Sequence, residues 1–302
     1  MALEQVMIKN CTSQQTGRKG FMSEDTATLV LREDTNGVAV LTINRIDKFN
    51  AMNKGVLDRI EEHLAQIEHD DSIDVVIFTG AGGKAFVAGA DIQELNRRVP
   101  YDGLIGGMQR LYEKVATYSK PTIAAVNGIA FGGGHELALA CDIRIGSTNA
   151  LFALPETGLG IIPAAGGTQR LAKIVGIGVA TDLIMSGARL KAERAYQLGL
   201  ITELVEPTEL MDAAHKKAQR VRSKGPLALK LVKQVLQRGF DVDHETGMLL
   251  ERLAQAVAYS SDEKAEGTSA FLEKRDPDYA AVHHERVSHR NHHAQFENEG
   301  RA

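Results

Sequence analysis

The fold is decided by residues 120–142, which read KPTIAAVNGIAFGGGHELALACD. The apolar residues Thr122–Val126 predict a buried strand, and Asn127-Gly128 predicts a turn after it. Gly132–Gly134 then lead into residues 135–140, which favour a helix. Glycines let a ligand approach the backbone closely, and the first N–H groups of a helix have no partner within it. The stretch therefore predicts a site for negative charge.

An acid placed directly after these glycines sets this site apart from a phosphate site. Glu136 falls in the first predicted helical turn, and no Lys, Ser or Thr stands beside it. A carboxylate at that position would repel a phosphate group. The pattern instead favours a neutral ligand that becomes negative during a reaction, with Glu136 handling a proton.

Composition excludes several classes of protein. The 302 residues are 25% charged and 43% hydrophobic with a net charge of −4, which is typical of a globular protein and gives no reason to expect nucleic-acid or acidic-membrane binding. The longest apolar runs are about ten residues, too short for a bilayer. The N-terminus lacks the apolar core of a secretory signal, and Cys11 and Cys141 are expected to be reduced. We expect a cytoplasmic protein, with a short organelle transit peptide left open.

The order of predicted elements divides the chain into four parts. Residues 1–25 are polar and aperiodic, and we expect a flexible N-terminal tail. Strands and helices alternate over 26–205, whereas helices dominate 206–275, which indicates an α/β core followed by helices that cover the core or join subunits. Residues 276–302 form a polar, histidine-rich tail, expected to be solvated, with metal capture as the alternative.

Periodicity predicts the individual elements. A hairpin signal at residues 34–37 separates strands at 28–32 and 38–43. In the first half, helices are predicted over 53–68, 91–98 and 103–118. The predicted C-terminal helices are 208–224, 226–238, 245–259 and 262–274, and their Leu and Val stripes are expected to face the core while their charges face solvent.

A glycine-rich turn at residues 80–83 raises the alternative of a dinucleotide site. Gly80-x-Gly82-x-x-Ala85 follows a predicted strand, as a Rossmann fingerprint does. The next residues, 86–91, do not favour a helix, and no acid ends a second strand about twenty residues later. The chain also has no Walker lysine motif. We therefore expect no nucleotide cofactor.

Two glutamates with apolar sequence neighbours are the best catalytic candidates. Glu136 follows the glycines, and Glu156 follows Pro155 ahead of a second glycine-rich block at 158–167. In one buried pocket they would repel each other, which favours one protonated and one ionised carboxyl group. Two solvated helix caps are the alternative. His135 has no second ligand at metal spacing, so we expect a packing or solvent-facing residue and no metal site.

Four blocks of sequence, in this order, resemble the crotonase superfamily of enoyl-CoA hydratases and isomerases over residues 28–275. They are Phe86–Ile92, Ala124–Glu136, Leu154–Glu156 and Pro163–Leu171. The resemblance implies an α/β fold, a spiral of ββα units, followed by helices that build trimers, which often pair into hexamers. It also implies an acyl-CoA thioester substrate, in which coenzyme A is part of the substrate.

The resemblance also implies roles for individual residues. The backbone N–H groups of Ala90 and Gly133 would form an oxyanion hole for the thioester carbonyl. Glu136 would hold a water and Glu156 would exchange the proton at C2. Because both acids are present, the hydration of a trans-2-enoyl-CoA is the expected reaction. Double-bond isomerisation, another dehydration, or an RNA-binding relative are the alternatives, and the acidic charge balance argues against the last.

Contacts to coenzyme A follow from the same resemblance. The stretch from Asn44 to Ala51 resembles the one that lines the pantetheine and adenine. The residues expected to touch the substrate are Arg45, Ala88, Gly89, Ala90, Asp91, Ile92 and Gly133, with Phe271 and Lys274 reaching the CoA of a neighbouring subunit. Three positions depart from the pattern: Ile46 replaces a proline, Ala164 replaces a glycine near the attacking water, and His135 replaces a cysteine.

Overall fold

The computed structural model describes residues 26–279, 281 and 282. The predictions made for residues 1–25 and 283–302, including metal capture by the C-terminal histidines, lie outside the described residues.

A six-stranded sheet forms the body of the molecule. Its strands, in spatial order, are β1 (Val30–Thr35), β2 (Val38–Ile43), β3 (Val75–Gly80), β5 (Thr122–Val126), β7 (Ile143–Ser147) and β10 (Glu203–Val205). β1 and β2 form the predicted antiparallel hairpin, and the other neighbours are parallel. Asn36 and Gly37 carry the positive φ angles, 48° and 76°, that a tight hairpin turn requires.

A smaller sheet carries the loops of the candidate site. Its strands, in spatial order, are β4 (Ala85–Val87), β6 (Ile129–Phe131), β8 (Leu151–Ala153) and β9 (Leu190–Lys191). β4, β6 and β8 run parallel, so the segments that follow them leave the same edge of the sheet. β6 was not predicted, because its three residues lie between a turn signal and the glycines.

Twelve α-helices lie within the described residues. They are α1 (Lys54–Glu68), α2 (Ile92–Leu95), α3 (Pro100–Ile105), α4 (Gly107–Ala116), α5 (Gly133–Ala140), α6 (Gly167–Val175), α7 (Ile177–Ser186), α8 (Ala192–Gln197), α9 (Leu210–Arg222), α10 (Pro226–Gly239), α11 (His244–Tyr259) and α12 (Asp262–Glu273). Short 3₁₀ turns occupy Thr26–Thr28, Ile46–Lys48, Glu156–Leu159 and Pro207–Glu209.

The large sheet separates two hydrophobic cores because successive strand residues face opposite sides. Leu41 and Phe78 face the main core, which also holds the inner face of α1 and all of α5. Val40 and Ile77 face a smaller core that is covered by Leu210, Ala214 and Ala218 of α9. The long apolar runs of β3 and β5 follow from this burial on both faces.

The segment between β4 and β5 differs from its prediction. The helix expected over 91–98 is the four-residue α2, and the helix expected over 103–118 is two helices, α3 and α4. Gly106 joins these two with φ of 58°, a left-handed conformation that ends one helix and redirects the chain into the next. The apolar residues were correctly interpreted as helical, but Gly106 divides the predicted helix into two.

Helices α10 and α11 also depart from expectation. α10 and α11 contain no buried residue, and apolar side chains such as Leu236 and Leu253 are exposed in the single chain. The prediction that their Leu and Val stripes pack on the core of this chain is therefore wrong. Of the helices that follow the sheets, α9 packs on a core. Lys233 of α10 nonetheless pairs with Asp142 at 2.8 Å, which attaches this helix beside the end of α5.

Candidate active site

Glu136 lies in the first turn of α5, and its carboxyl group is buried, with only 3% of the residue exposed. Its Oε1 accepts hydrogen bonds from the backbone N–H groups of Ala165, at 2.7 Å, and Gly167, at 2.9 Å. Burial raises the pKa of Glu136, while these two amide donors act in the opposite direction by favouring the carboxylate. One oxygen is thus held by the second glycine-rich block, and Oε2 accepts no hydrogen bond from the described residues.

Glu156 follows β8 and opens a 3₁₀ turn, and it is 9% exposed. A methyl carbon added at Gly132 would lie 2.9 Å from its Oε1, and its Oε2 is buried with no hydrogen-bond partner in the described part of the chain. Burial raises the pKa of Glu156 to about 7, and the charge of Glu136 adds to the rise. These carboxyl groups are therefore electrostatic neighbours, and both are buried, which rules out the alternative of two solvated caps.

The two acids are not equivalent. Glu136 accepts from two amides of a distant loop that stabilise its ionised form. The Glu156 carboxyl group has only its own backbone N–H in that role, and its Oε2 has no partner among the described residues. Of the two, Glu136 is therefore the better carboxylate and Glu156 the better proton carrier near neutral pH.

Close backbone contacts explain why glycines precede Glu136. Gly132 has φ of 50° and ψ of −124°, a conformation that residues with a side chain rarely adopt. A Cβ on Gly134 would lie 1.9 Å from the carbonyl oxygen of Val87. The start of α5 therefore packs directly against the end of β4, and a side chain at Gly134 would separate them.

That packing makes neighbours of the two peptide segments expected to form an oxyanion hole. The Cα of Gly89 lies 3.8 Å from the position of a Cβ on Gly132. Met52 donates to the Gly89 carbonyl and accepts from Asp91 N–H, both at 2.8 Å, so the Ala90 N–H points away from Met52. Gly133 is the first residue of α5 and has no intrahelical acceptor. Neither amide, Ala90 nor Gly133, donates a hydrogen bond within residues 26–279.

Arg45 and Asp91, both expected to contact coenzyme A, are bound to each other. Arg45 Nη2 lies 3.2 Å from Asp91 Oδ2, with 5% and 15% of the two side chains exposed. Arg45 also donates to the Ala51 carbonyl at 2.7 Å, and Asp91 caps α2 by accepting from Gln93 N–H at 3.0 Å. The pair fixes the loop after β4, a structural role that the sequence did not indicate; contact with a ligand stays a prediction.

The remaining predicted substrate residues fall into two groups. Ala88 and Gly89 directly follow β4, where Gly89 approaches Gly132, and Ile92 has an exposed side chain on α2. Phe271 and Lys274 lie at the exposed end of α12, and the single chain does not bring them to the site. Their predicted role depends on a neighbouring subunit.

Sequence reasoning missed Met108 and Tyr112 of α4. Tyr112 is completely buried, and its hydroxyl has no hydrogen-bond partner among the described residues. Burial raises its pKa well above the ordinary value, and the charge of Glu136 contributes. Their spacing of four residues indicates one helix face, but nothing in the sequence says what that face covers.

His135 is a buried packing residue, one of the two roles expected for it. Its ring lies 5.4 Å from that of Phe152, and burial lowers its pKa to about 4, so the imidazole is neutral near pH 7. The described residues contain no group of three or more His, Cys, Asp or Glu side chains placed to bind a metal ion. None of the helices described is long and apolar enough to cross a membrane.

Known proteins carry the same fold and sequence pattern. Residues 33–282 match the family described as enoyl-CoA hydratase/isomerase. The chain is 43% identical over 248 residues to the short-chain-enoyl-CoA hydratase of Clostridium acetobutylicum, covering 82% of this chain and 95% of that one. It is 40% identical over 254 residues to the crotonyl-CoA hydratase of Syntrophomonas wolfei, covering 83% and 97%.

Solved structures agree with these relatives. The crystal structure of an enoyl-CoA hydratase from Bacillus anthracis is 38% identical and superposes with a TM-score of 0.80, covering 83% of this chain and 98% of that one. One from Geobacillus kaustophilus is 36% identical with a TM-score of 0.79, covering 83% and 97%. The predicted α/β, crotonase-like fold with its C-terminal helices is confirmed. This chain belongs to the enoyl-CoA hydratase/isomerase family and is an enzyme of that family.

Proposed function

We propose that the protein catalyses the reversible syn addition of water to a trans-2-enoyl-CoA, giving a 3-hydroxyacyl-CoA. The observation that carries the proposal is the pair of buried carboxyl groups, Glu136 and Glu156, of which the second has its pKa raised by burial and by the charge of the first. The two relatives compared above, named as short-chain-enoyl-CoA and crotonyl-CoA hydratases, support the same reaction.

In this reaction, the thioester carbonyl of the substrate accepts hydrogen bonds from the amides of Ala90 and Gly133. These donors withdraw electrons from the C2–C3 double bond and stabilise the negative charge that develops on the carbonyl oxygen. Losing one donor of this kind typically costs roughly 3–4 kcal/mol in the barrier. The proximity of the 89–90 and 132–133 peptides supports this placement.

The two acids then move one proton each. Glu136 accepts a proton from the water as its oxygen bonds to C3, and Glu156 gives its proton to C2 as the double bond is lost. Water is added across the bond with no net change in the protons held by the pair, and the reverse reaction returns each proton along the same route. The amide bonds to Glu136 Oε1 leave Oε2 for the water. Ala164 lies in the loop that supplies these amides.

A complete oligomer is part of the proposal. We infer a homotrimer, or a hexamer made from two trimers, because the apolar side chains of α10 and α11 are exposed in the single chain. Phe271 and Lys274 would then reach the coenzyme A of a neighbouring copy. Light scattering during size exclusion tests this directly, and a monomer at micromolar concentration would contradict it. A cytoplasmic location is likewise proposed.

The test of the reaction uses crotonyl-CoA and follows the loss of the enoyl-thioester absorbance. Glu136→Gln and Glu156→Gln keep the shape of each side chain but remove its ability to exchange a proton, so each should lose at least about a hundredfold in kcat. Binding of acetoacetyl-CoA, measured by calorimetry, should survive in both. Glu33→Gln, an exposed carboxyl group on β1, is the matched control and should keep full activity.

Full activity in both site variants would overturn the proposed roles of the two acids. Analysis of the products by mass spectrometry distinguishes water addition from double-bond migration, since only hydration increases the mass of the thioester. A product of unchanged mass would replace hydration by isomerisation.

A further inference from the structure

Helix α4 packs beside the start of α5, and two of its side chains cover Gly133. A Cβ placed on Gly133 would lie 2.7 Å from Met108 Sδ and 3.7 Å from the Tyr112 hydroxyl oxygen. Met108 and Tyr112 are four residues apart, so they occupy one face of α4, one turn from each other. This face of α4 therefore fills the space next to Gly133.

The Tyr112 hydroxyl is an unusual group for a packed core. It is completely buried and has no hydrogen-bond partner in residues 26–279, whereas Tyr118, just beyond α4, donates to the Leu64 carbonyl at 2.6 Å. Buried hydroxyl groups are nearly always hydrogen-bonded, so an unpaired one indicates a place for a water or a ligand atom. The hydroxyl oxygen lies 3.7 Å from the position of a Cβ on Gly133, which precedes Glu136 by three residues in α5.

The proposed reaction fixes where the acyl chain must run. The substrate carbonyl lies at the Gly133 amide and C3 lies at Glu136. Only a few carbons of the acyl chain therefore extend beyond C3 before they meet the side chains around these residues. Met108 and Tyr112 are the side chains that lie against Gly133. We propose, on the basis of the proposed function, that Met108 and Tyr112 form the end wall of the acyl site and restrict the substrate to short chains of about four carbons.

The two residues act differently in this wall. Met108 is a volume barrier, but its unbranched thioether side chain can bend, so it resists longer chains only in part. Tyr112 is rigid and polar. A longer chain would place aliphatic carbons against its buried hydroxyl, which has no hydrogen-bond partner among the described residues, and an aliphatic carbon cannot supply one.

The test compares kcat/KM for trans-2-enoyl-CoAs of four, six, eight and ten carbons. In the unaltered enzyme, kcat/KM should fall at least about tenfold between four and eight carbons, as a pocket of limited depth discriminates by methylene groups. Met108→Ala should raise the eight-to-four ratio about tenfold by opening the wall. Tyr112→Phe keeps the shape and should raise the same ratio severalfold.

Two controls separate the wall from general effects of substitution. Met211→Ala removes a methionine that packs on the opposite side of the large sheet, and Tyr118→Phe removes a tyrosine hydroxyl outside the site. Both should leave the eight-to-four ratio unchanged, whatever their effect on thermal stability.

The outcomes discriminate clearly. Constant kcat/KM from four to ten carbons in the unaltered enzyme would overturn the wall without any variant, so the test survives even if Met108→Ala does not fold. A second contrary result is hydration with an eight-to-four ratio that neither Tyr112→Phe nor Met108→Ala changes. That result would also overturn the wall, while the proposed reaction would stand. Absence of hydration at every chain length would overturn the proposed function and the wall together.

Discussion

Gly132 and Glu156 approach so closely that a methyl carbon on the glycine would lie 2.9 Å from the carboxylate Oε1. Gly132 also caps α5 with φ of 50°. A residue with a side chain at this position would therefore have a strained backbone and would also push against the Glu156 carboxyl group. The glycine thus determines where the Glu156 carboxyl group can stand relative to Glu136.

Gly132→Ala should therefore inactivate the enzyme more than it destabilises it. We expect about 1–3 kcal/mol of lost stability from strain and overpacking, and about a hundredfold loss in kcat because the carboxyl group is displaced. Gly83→Ala is the matched control, since Gly83 has φ of 67° but nothing within 4 Å of an added Cβ. It should lose stability only. Urea unfolding and crotonyl-CoA hydration check both variants, and equal losses of activity would refute the explanation.

The kcat/KM for hydration should decrease as the pH rises above neutrality. The proposed reaction needs one proton on the Glu136–Glu156 pair, and this proton leaves as the pH rises through the Glu156 pKa of about 7. Above that pH, kcat/KM should fall tenfold per pH unit. Hydration and dehydration should have the same profile, because the overall reaction consumes no proton. A flat profile between about pH 6 and 9 would contradict the role of the pair.

The stability of the protein should depend on the same group. The pKa of Glu156 is raised from 4.5 to about 7 in the folded state, so its favourable contribution is complete below pH 4.5 and is lost as the pH rises through about 7. Glu156→Gln removes this loss. At pH 8 the variant should be more stable than the unaltered protein by about 1–3 kcal/mol after allowance for solvent screening, and at pH 4 the difference should vanish.

Urea unfolding at the two pH values measures this difference, with Glu33→Gln as the exposed control. A Glu156→Gln variant less stable than the unaltered protein at pH 8 would show that the ionised carboxylate is compensated in the folded state.

Asp91→Asn tests the structural role of the pair with Arg45. Asparagine keeps the cap on α2 but removes the negative charge, so the buried Arg45 guanidinium loses the ion pair that it makes with Asp91. We expect a loss of about 3 kcal/mol. Asp58→Asn breaks the exposed pair between Lys54 and Asp58 and should cost less than about 1 kcal/mol. Thermal or urea unfolding checks both, and equal effects would assign no special role to the buried pair.

Much of the fold could be predicted from the sequence because its signals are local. Apolar residues at helical spacing identified α1, and the glycine turns marked the ends of the parallel strands. β6 escaped because three residues carry too little pattern, and the long helix ending at Tyr118 was wrongly continued through Gly106. The exposed stripes of α10 and α11 have the same periodicity as core helices, so sequence cannot tell which surface will cover them.

The candidate site was predictable only in part. The glycine-rich turns and their apolar neighbours indicated Glu136 and Glu156 as candidate acids, and family likeness added the amides of Ala90 and Gly133. The burial of both acids is found in the structure, and the catalytic roles stay predictions. The bond between Arg45 and Asp91 joins residues 46 positions apart, and neither has a pattern that points to the other. The position of Tyr112 behind Gly133 depends on how α4 crosses α5, which three-dimensional packing alone determines.

The hydrogen bonds from Ala165 and Gly167 to Glu136 span 29 and 31 residues of sequence. Longer helices such as α1 can form early from local contacts, yet the acid on α5 becomes oriented only when the distant loop docks onto it. During refolding from denaturant, regain of catalysis should therefore lag behind recovery of helical circular dichroism. The time at which activity returns would therefore mark the formation of this long-range contact.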